Sequence, residues 1–261
     1  MSEAAAPRLG IGFWGFIALM LALTVLFVAL GVWQLERLAW KDGLVAEVAE
    51  RMAQPPVDLP AAAAWPSLVA DDWAFRPVRA TGHYLPEATV LVFTGLSDPK
   101  GQSSGAGYWV MMPLVLASGG AVVVNRGFIP QSSAASFAAG QGADAGDVTV
   151  SGVAVTPEAP GAFTPAADTA NRIDYVRDPG RLATLAGITG PVLPLIIDLP
   201  AGPPGALPQG GETVVEFPNN HLGYAFTWFG FAIITPALLA FWISRQMRPR
   251  KPNFDGNNGP P

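Results

Sequence analysis

Charge is missing from two long stretches of this chain, one near each end. No charged residue falls between Arg8 and Glu36, and none between Glu216 and Arg245. A helix needs ~20 apolar residues to cross a hydrocarbon core of ~30 Å, and both stretches exceed that. The pattern predicts one transmembrane helix over residues 9–33 and a second over residues 221–244. Tryptophans gather at the ends of these spans, with Trp14 and Trp242 at one level and Trp33 and Trp40 at the other, as in the aromatic belt at headgroup depth. Pro236 lies inside the second span, where it removes one helical hydrogen bond. The first apolar run is far longer than the ~7–15 residues of a signal-peptide core, so it reads as an anchor.

Between the spans the period changes. Leu35–Met52 continues the first helix out of the apolar run until Gln54-Pro55-Pro56 ends it, and an Ala/Pro-rich linker follows from Pro60 to Pro66. Short apolar or alternating runs then predict strands at Phe75–Tyr84, Thr89–Thr94, Tyr108–Leu116, Gly120–Ile129, Val148–Thr156, Val192–Leu199 and Thr213–Phe217. Ser118-Gly119-Gly120 reads as a hairpin turn. One helix is predicted at Pro179–Ala186, capped by Asp178 and opened by a proline in its first turn. The stretches Asp98–Gly107, Ser132–Gly146 and Ala201–Gly211 read as loops. The predicted fold class is a membrane protein. Its two transmembrane α-helices flank a mainly β (α+β), barrel- or sandwich-like extracytoplasmic domain over residues 34–220. Residues 1–8 form a cytoplasmic N-terminus and residues 245–261 a disordered cytoplasmic tail.

Charge sets the orientation. Arg8 precedes the first span, and Arg245, Arg248, Arg250 and Lys251 follow the second; basic flanks stay on the cytoplasmic side. Both termini are therefore expected inside and the middle domain outside. That domain, Leu35 to Asn220, holds 10 basic and 18 acidic residues for a net −8, and the two ends carry +3, which together make the chain's −5. An acidic domain is a poor partner for nucleic acid; the lipid bilayer is the expected partner of the spans. The first eight residues hold one Arg and one Glu, unlike a mitochondrial presequence, so the expected location is a bacterial cell inner membrane with the domain in the periplasm. There is no cysteine, which excludes thiolate metal sites, CxxC redox chemistry and c-type haem attachment.

Few residues are left to carry chemistry. Gly10-Ile-Gly12-Phe-Trp-Gly15 matches G-x-G-x-x-G, yet it opens a membrane span and not a strand-to-helix turn, so it is no dinucleotide site. Gly101-Gln-Ser103-Ser-Gly105 matches G-x-S-x-G, yet it precedes a strand where a nucleophile elbow would lead into a helix. With only two histidines, three-histidine zinc sites are excluded. His83 falls in a strand pattern and reads as a surface residue. His221 stands where the second span emerges, after Asn219-Asn220, with Tyr224, Ala225 and Trp228 on its face at helical spacing. An ionisable group near membrane depth is a functional candidate, and an imidazole on an aromatic wall suits an axial haem ligand. An interfacial histidine beside ordinary belt aromatics is the competing reading. At the same level the first span ends with Trp33, Arg37, Trp40 and Lys41 on one face. Their cations either neutralise carboxylates such as haem propionates or snorkel to the interface.

Taken together, the sequence blocks resemble one family. Leu30-Gly-Val-Trp33-Gln34-Leu-Glu-Arg37-Leu-Ala-Trp40-Lys41 leaves the first span, and Asn219-Asn220-His221-Leu222-Gly-Tyr224-Ala-Phe-Thr227-Trp228-Phe-Gly230 enters the second. Between them come Arg76-Pro-Val-Arg79-Ala-Thr-Gly82, Val124-Asn125-Arg126-Gly127-Phe128-Ile129-Pro130, and Asn171 and Tyr175 with Arg177-Asp178. In this order they resemble the Surfeit locus protein one family of oxidase-assembly factors. Two positions depart from its usual pattern: Gly223 stands where Gln is common, and Ile173-Asp174 where an aromatic is. The resemblance implies a chaperone, not an enzyme, that binds haem a and aids its delivery to cytochrome c oxidase subunit I, with a haem a synthase as a second partner. It implies that His221 is the haem-iron ligand, and the expected cofactor site is His221, Tyr224, Trp228, Trp33 and Arg37. The alternatives are a membrane scaffold for oxidase subunits that binds no cofactor, and an envelope hydrolase using Ser103 and His83.

Overall fold

The computed structural model describes residues 10–213 and 219–248. They fall into two compact units. Of the described residues, one unit takes in 46–213, and the other 10–45 with 219–248.

The first of these units is mainly β. Its strands are β1 (Val57–Asp58), β2 (Pro77–Tyr84), β3 (Val90–Leu96), β4 (Gly105–Leu116), β5 (Ala121–Pro130), β6 (Asp147–Val155), β7 (Ile173–Asp174) and β8 (Val192–Asp198). The sheet order is β1-β2-β6-β8-β5-β4-β3-β7, and β2 also pairs with β4. That extra pairing closes β2, β6, β8, β5 and β4 into a five-stranded barrel. Strand β4 makes closure possible because, while β5 pairs along one edge, its other edge serves two neighbours. Its first half pairs antiparallel with β3 from Gly105 to Met111, and its end pairs with β2 from Leu114 to Leu116. The strands cross closely at Gly82, where a Cβ would collide with the Val115 carbonyl, so only glycine fits.

Inside the barrel, β2 alternates as its pattern predicts, with Val78 and Ala80 inward and Arg79 and Thr81 outward. Val78, Met112, Leu114, Val122, Val124, Leu193, Leu195 and Ile197 fill the interior. Strand β5 is buried along nearly its whole length, because both of its faces are covered. Helix α3 (Pro179–Leu185) sends Leu182 onto Val123, Phe128 and Ile196. Helix α2 (Ala134–Ala138) sends Phe137 onto Leu91, Val110 and Ile129. Asp178 caps α3 by accepting from the Arg181 amide at 2.8 Å.

Several expectations change here. The barrel replaces the barrel-or-sandwich alternative. The linker from Pro60 to Pro66 is no free spacer: it forms a 3-10 turn over Ala62–Ser67. Trp65 closes the core there, its indole N–H donating to Pro60 O at 2.8 Å. The loop Ser132–Gly146 contains α2, and β4 begins inside the predicted loop Asp98–Gly107. Of the strand predicted at Thr213–Phe217, Thr213 lies in no strand, and the remainder lies outside the described residues. So do residues 1–9 and 249–261, which include most of the predicted termini.

The second unit is built on α1 (Ile11–Met52), whose last residues enter the first unit, and α4 (His221–Gln246). Both are long and apolar enough to cross a membrane. The first is one continuous helix, so the predicted end of the span at residue 33 is not a helix end, in line with the predicted continuation to Met52. The second runs two residues past the predicted span.

Candidate functional site

The two long helices meet along a seam legible in their burial. On α4, the half-buried or buried positions His221, Ala225, Trp228, Ala232, Thr235, Leu239 and Trp242 are spaced by alternating fours and threes. On α1, Phe13, Met20, Phe27, Gln34 and Lys41 recur every seven residues as the less exposed positions. This is the heptad geometry of a left-handed antiparallel pair. Contacts run in opposite order along the two chains. Trp242 packs on Phe13 and Phe16, with ring centroids 5.1 and 4.6 Å apart, and Trp228 stacks on Phe27 at 5.8 Å. Gly31 faces Phe229 so closely that a Cβ would stand 2.7 Å from the ring.

At the next step of the seam stands a polar pair. His221 Nδ1 lies 2.6 Å from Gln34 Oε1, and Gln34 is 8% exposed. A carboxamide oxygen can only accept. The shared proton is therefore on Nδ1, and in the neutral ring the lone pair is on Nε2. One level further on, Asn219 Nδ2 donates to Asp42 Oδ1 at 3.0 Å.

The flank beside this pair is open and aromatic. At about 100° per residue, Trp33, Arg37 and Trp40 all fall to one side of Gln34, and Tyr224 falls to one side of His221. In an antiparallel pair those two sides coincide. Trp33 is 53% and Tyr224 57% exposed. The Arg37 guanidinium lies 4.0 Å over the Trp40 ring, an arrangement that leaves its in-plane N–H groups free to meet carboxylates. Of the five predicted site residues, His221, Tyr224, Trp33 and Arg37 border this flank. Trp228 sits on the seam itself, packed on Phe27. Gln34 was not singled out from the sequence, although its seven-residue spacing from Phe27 and Phe13 through Met20 marks it as a seam position.

The remaining sequence blocks lead to a different place. Asn125 donates from Nδ2 to Asp198 Oδ1 and accepts the Gly127 amide, both at 3.0 Å. Asp198, 3% exposed, also accepts from Thr213 Oγ1 at 3.0 Å and lies 3.5 Å from Arg177 Nη1. Arg177 in turn binds Glu158 at 2.7 Å and lies over Trp109. Burial pushes the Asp198 carboxyl above its usual value, and outweighs the lowering by Arg177, Asn125 and Thr213. Arg126 reaches the carbonyls of Gln141 and Gly142 and lies over Tyr84, whose hydroxyl is pushed up to about 12, chiefly by burial. Asp174, at a position where the family pattern departs, is fully buried against Arg181 with contacts of 2.7 and 3.0 Å. These blocks hold the barrel together.

His83 lies on the outer face of β2, 3.9 Å from Asp147. Ser103 lies in the loop before β4, its amide bonded to Gln209 Oε1 at 2.7 Å. Among the described residues no hydrogen bond joins the two, and no group of three or more His, Asp or Glu side chains could hold a metal ion.

A model of the SURF1 family matches residues 21–233, from within the first long helix to within the second. The chain belongs to the SURF1 family. A SURF1-like protein of Monosiga brevicollis is 31% identical over 274 aligned positions, covering 100% of this chain and 97% of that relative. Surfeit locus protein 1 of Homo sapiens is 30% identical, covering 88% and 77%. A SURF1-like protein of Rickettsia bellii is 26% identical, covering 80% and 82%. The match to the SURF1 family thus takes in both the polar pair on the seam and the barrel network.

Proposed function

We propose that this protein is an assembly factor for haem-copper cytochrome c oxidase. It is anchored in a bacterial inner membrane by α1 and α4, with both termini cytoplasmic and the barrel in the periplasm. It binds haem a at the outer interface and aids its delivery to cytochrome c oxidase subunit I, with a haem a synthase as the expected donor. The observation that carries this reading is the His221–Gln34 pair. A histidine with its Nδ1 proton held and its Nε2 lone pair free has the donor chemistry an iron ligand needs.

Haem a, when bound, would supply an iron that takes a nitrogen ligand, an apolar macrocycle and two carboxylates. The chain has a matching group for each. His221 Nε2, in the neutral ring, would hold the iron. Tyr224 and Trp33 form an aromatic wall at headgroup depth, where amphipathic rings are at home. The Arg37 guanidinium can pair with a carboxylate. Trp228 holds the two helices together through Phe27, which keeps the wall in place.

The test is the redox spectrum of purified protein supplied with haem a. His221→Ala should lose the haem signal, and full occupancy with an unshifted spectrum in that variant rejects the ligand. For the topology, a reporter active only outside the cytoplasm and fused after Pro261 should be silent, and an active fusion rejects the orientation. A scaffold role for oxidase subunits has one observation of its own, a partly exposed aromatic cluster beside the barrel, on the β3 side. There Phe93 lies 5.7 Å from Tyr108 and 6.1 Å from Tyr175, a surface suited to protein contact. A wild-type protein that promotes oxidase assembly yet takes up no haem a would favour the scaffold.

A further inference from the structure

We propose that Gln34 is the positioning residue of the His221 site, and that its being a carboxamide and not a carboxylate sets the ligand for release. The inference rests on the haem reading above and adds to it how tightly the ligand holds.

Gln34 occupies a seam position, where an apolar side chain would pack without cost. A buried carboxamide is costly unless bonded, and the bond its oxygen makes is the one to His221 Nδ1. That bond crosses from one helix to the other, so it fixes ring orientation as well as tautomer. With the proton on Nδ1, the lone pair that remains is on Nε2. Were the proton on Nε2, the only lone pair would be on Nδ1, on the nitrogen that faces Gln34.

The acceptor's charge matters separately. A carboxylate draws the Nδ1 proton strongly, makes the imidazole a more basic ligand and stabilises oxidised iron. A neutral carboxamide holds the same geometry with a weaker pull. A resident cofactor is best served by the first, and a cargo by the second. Gln34 thus gives His221 the geometry of a permanent ligand without its strength.

The experiment uses full-length protein, purified without a histidine tag, in a His83→Gln background that leaves His221 as the only imidazole. The ring nitrogen shifts of the haem-free protein report the tautomer. Wild type should carry the proton on Nδ1. Gln34→Leu, which suits the seam and should not disturb the helix pair, should shift protons to Nε2. Gln34→Glu should keep the proton on Nδ1. Haem a is then added. Gln34→Leu should release it about 10–100-fold faster, the usual effect of losing the group that orients a metal-bound histidine. Gln34→Glu should release it more slowly and lower its midpoint potential, which a polar pair that only sets helix register would not do.

An Nε2-protonated ring in wild type, or an unchanged tautomer in Gln34→Leu, overturns the positioning role. Release and potential in Gln34→Glu equal to wild type overturn the tuning. If wild type takes up no haem a, the proposed function fails and the tuning fails with it, while the tautomer still decides the role of Gln34.

Discussion

The barrel and the helix pair treat buried polar groups differently. In the β domain, Asn125, Asp174, Asp198, Gln209 and Glu212 are all buried, and each is bonded to several partners. Glu212 alone accepts from the Lys100 and Gly101 amides and from Gln209. Among the described residues, these five side chains all bond within the domain. In the helix pair apolar side chains line the seam while others such as Phe226 and Ile233 are exposed, the hydroxyls of Thr24 and Thr235 turn back onto their own helix carbonyls, and the neutral His221 ring of the Gln34–His221 pair keeps its Nε2 beyond that bond. The dense set of motif residues is thus spent on internal bonds, and the sparse set is where the proposed binding site lies.

The largest expected effect falls on the barrel. Gly82→Glu places a side chain into the Val115 carbonyl, and the closing pair of strands cannot form. The barrel should lose over about 4 kcal/mol, in the range reserved for such core clashes. Thermal unfolding followed by β-sheet circular dichroism measures it, and an unchanged Tm breaks the assignment of Gly82 to strand crossing. His221→Ala should do the reverse, removing haem a binding while the barrel's Tm stays put. A variant that loses both would erase the distinction between the two regions.

Smaller effects sharpen it. Gly31→Leu overpacks the seam against Phe229 and should weaken the helix pair by about 1–3 kcal/mol, read as increased cross-linking failure between engineered cysteines at Phe27 and Trp228, again without change in the barrel. Asp198 gives a pH dependence. Its carboxyl is raised in the folded state, so its contribution favours folding below the unfolded value and is lost as pH rises through the folded one. Asp198→Asn should therefore gain on wild type as the pH is raised across that window, and a flat difference in Tm would show that Arg177 cancels the burial. His83→Ala, at an exposed strand position, should change stability by no more than ~0.5 kcal/mol and leave haem uptake intact.

Much of this was legible in the sequence, for physical reasons. The six strands from Pro77 to Asp198 that carry the barrel and its extension lie within two or three residues of their predicted bounds, because alternation and flanking turns mark them. Two-residue strands such as β1 and β7 carry no period and went unseen. Barrel closure was not legible, since it depends on one edge of β4 serving both β3 and β2, which no local pattern records. Trp65 hid in a segment whose alanines and prolines read as spacer. The family blocks were visible, but the sequence could not say that Asn125, Arg177 and Asp198 meet one another. Gln34 was visible too, yet it was read beside Trp33 and not across from His221, because a contact between helices needs the register of both.

Strand β8 is the last to be made and lies between β5 and β6 in the finished barrel, parallel to the first and antiparallel to the second. Until residues 192–198 have left the ribosome, the strands already synthesised hold two unpaired edges, which are templates for joining other chains. At about 5–20 residues per second, the interval from β6 to β8 lasts several seconds. A premature stop anywhere before Asp198 would not yield a smaller barrel but an open sheet, prone to aggregate and to be degraded. Late-truncating alleles should accordingly behave like full deletions for this domain, although most of its strands would have been translated.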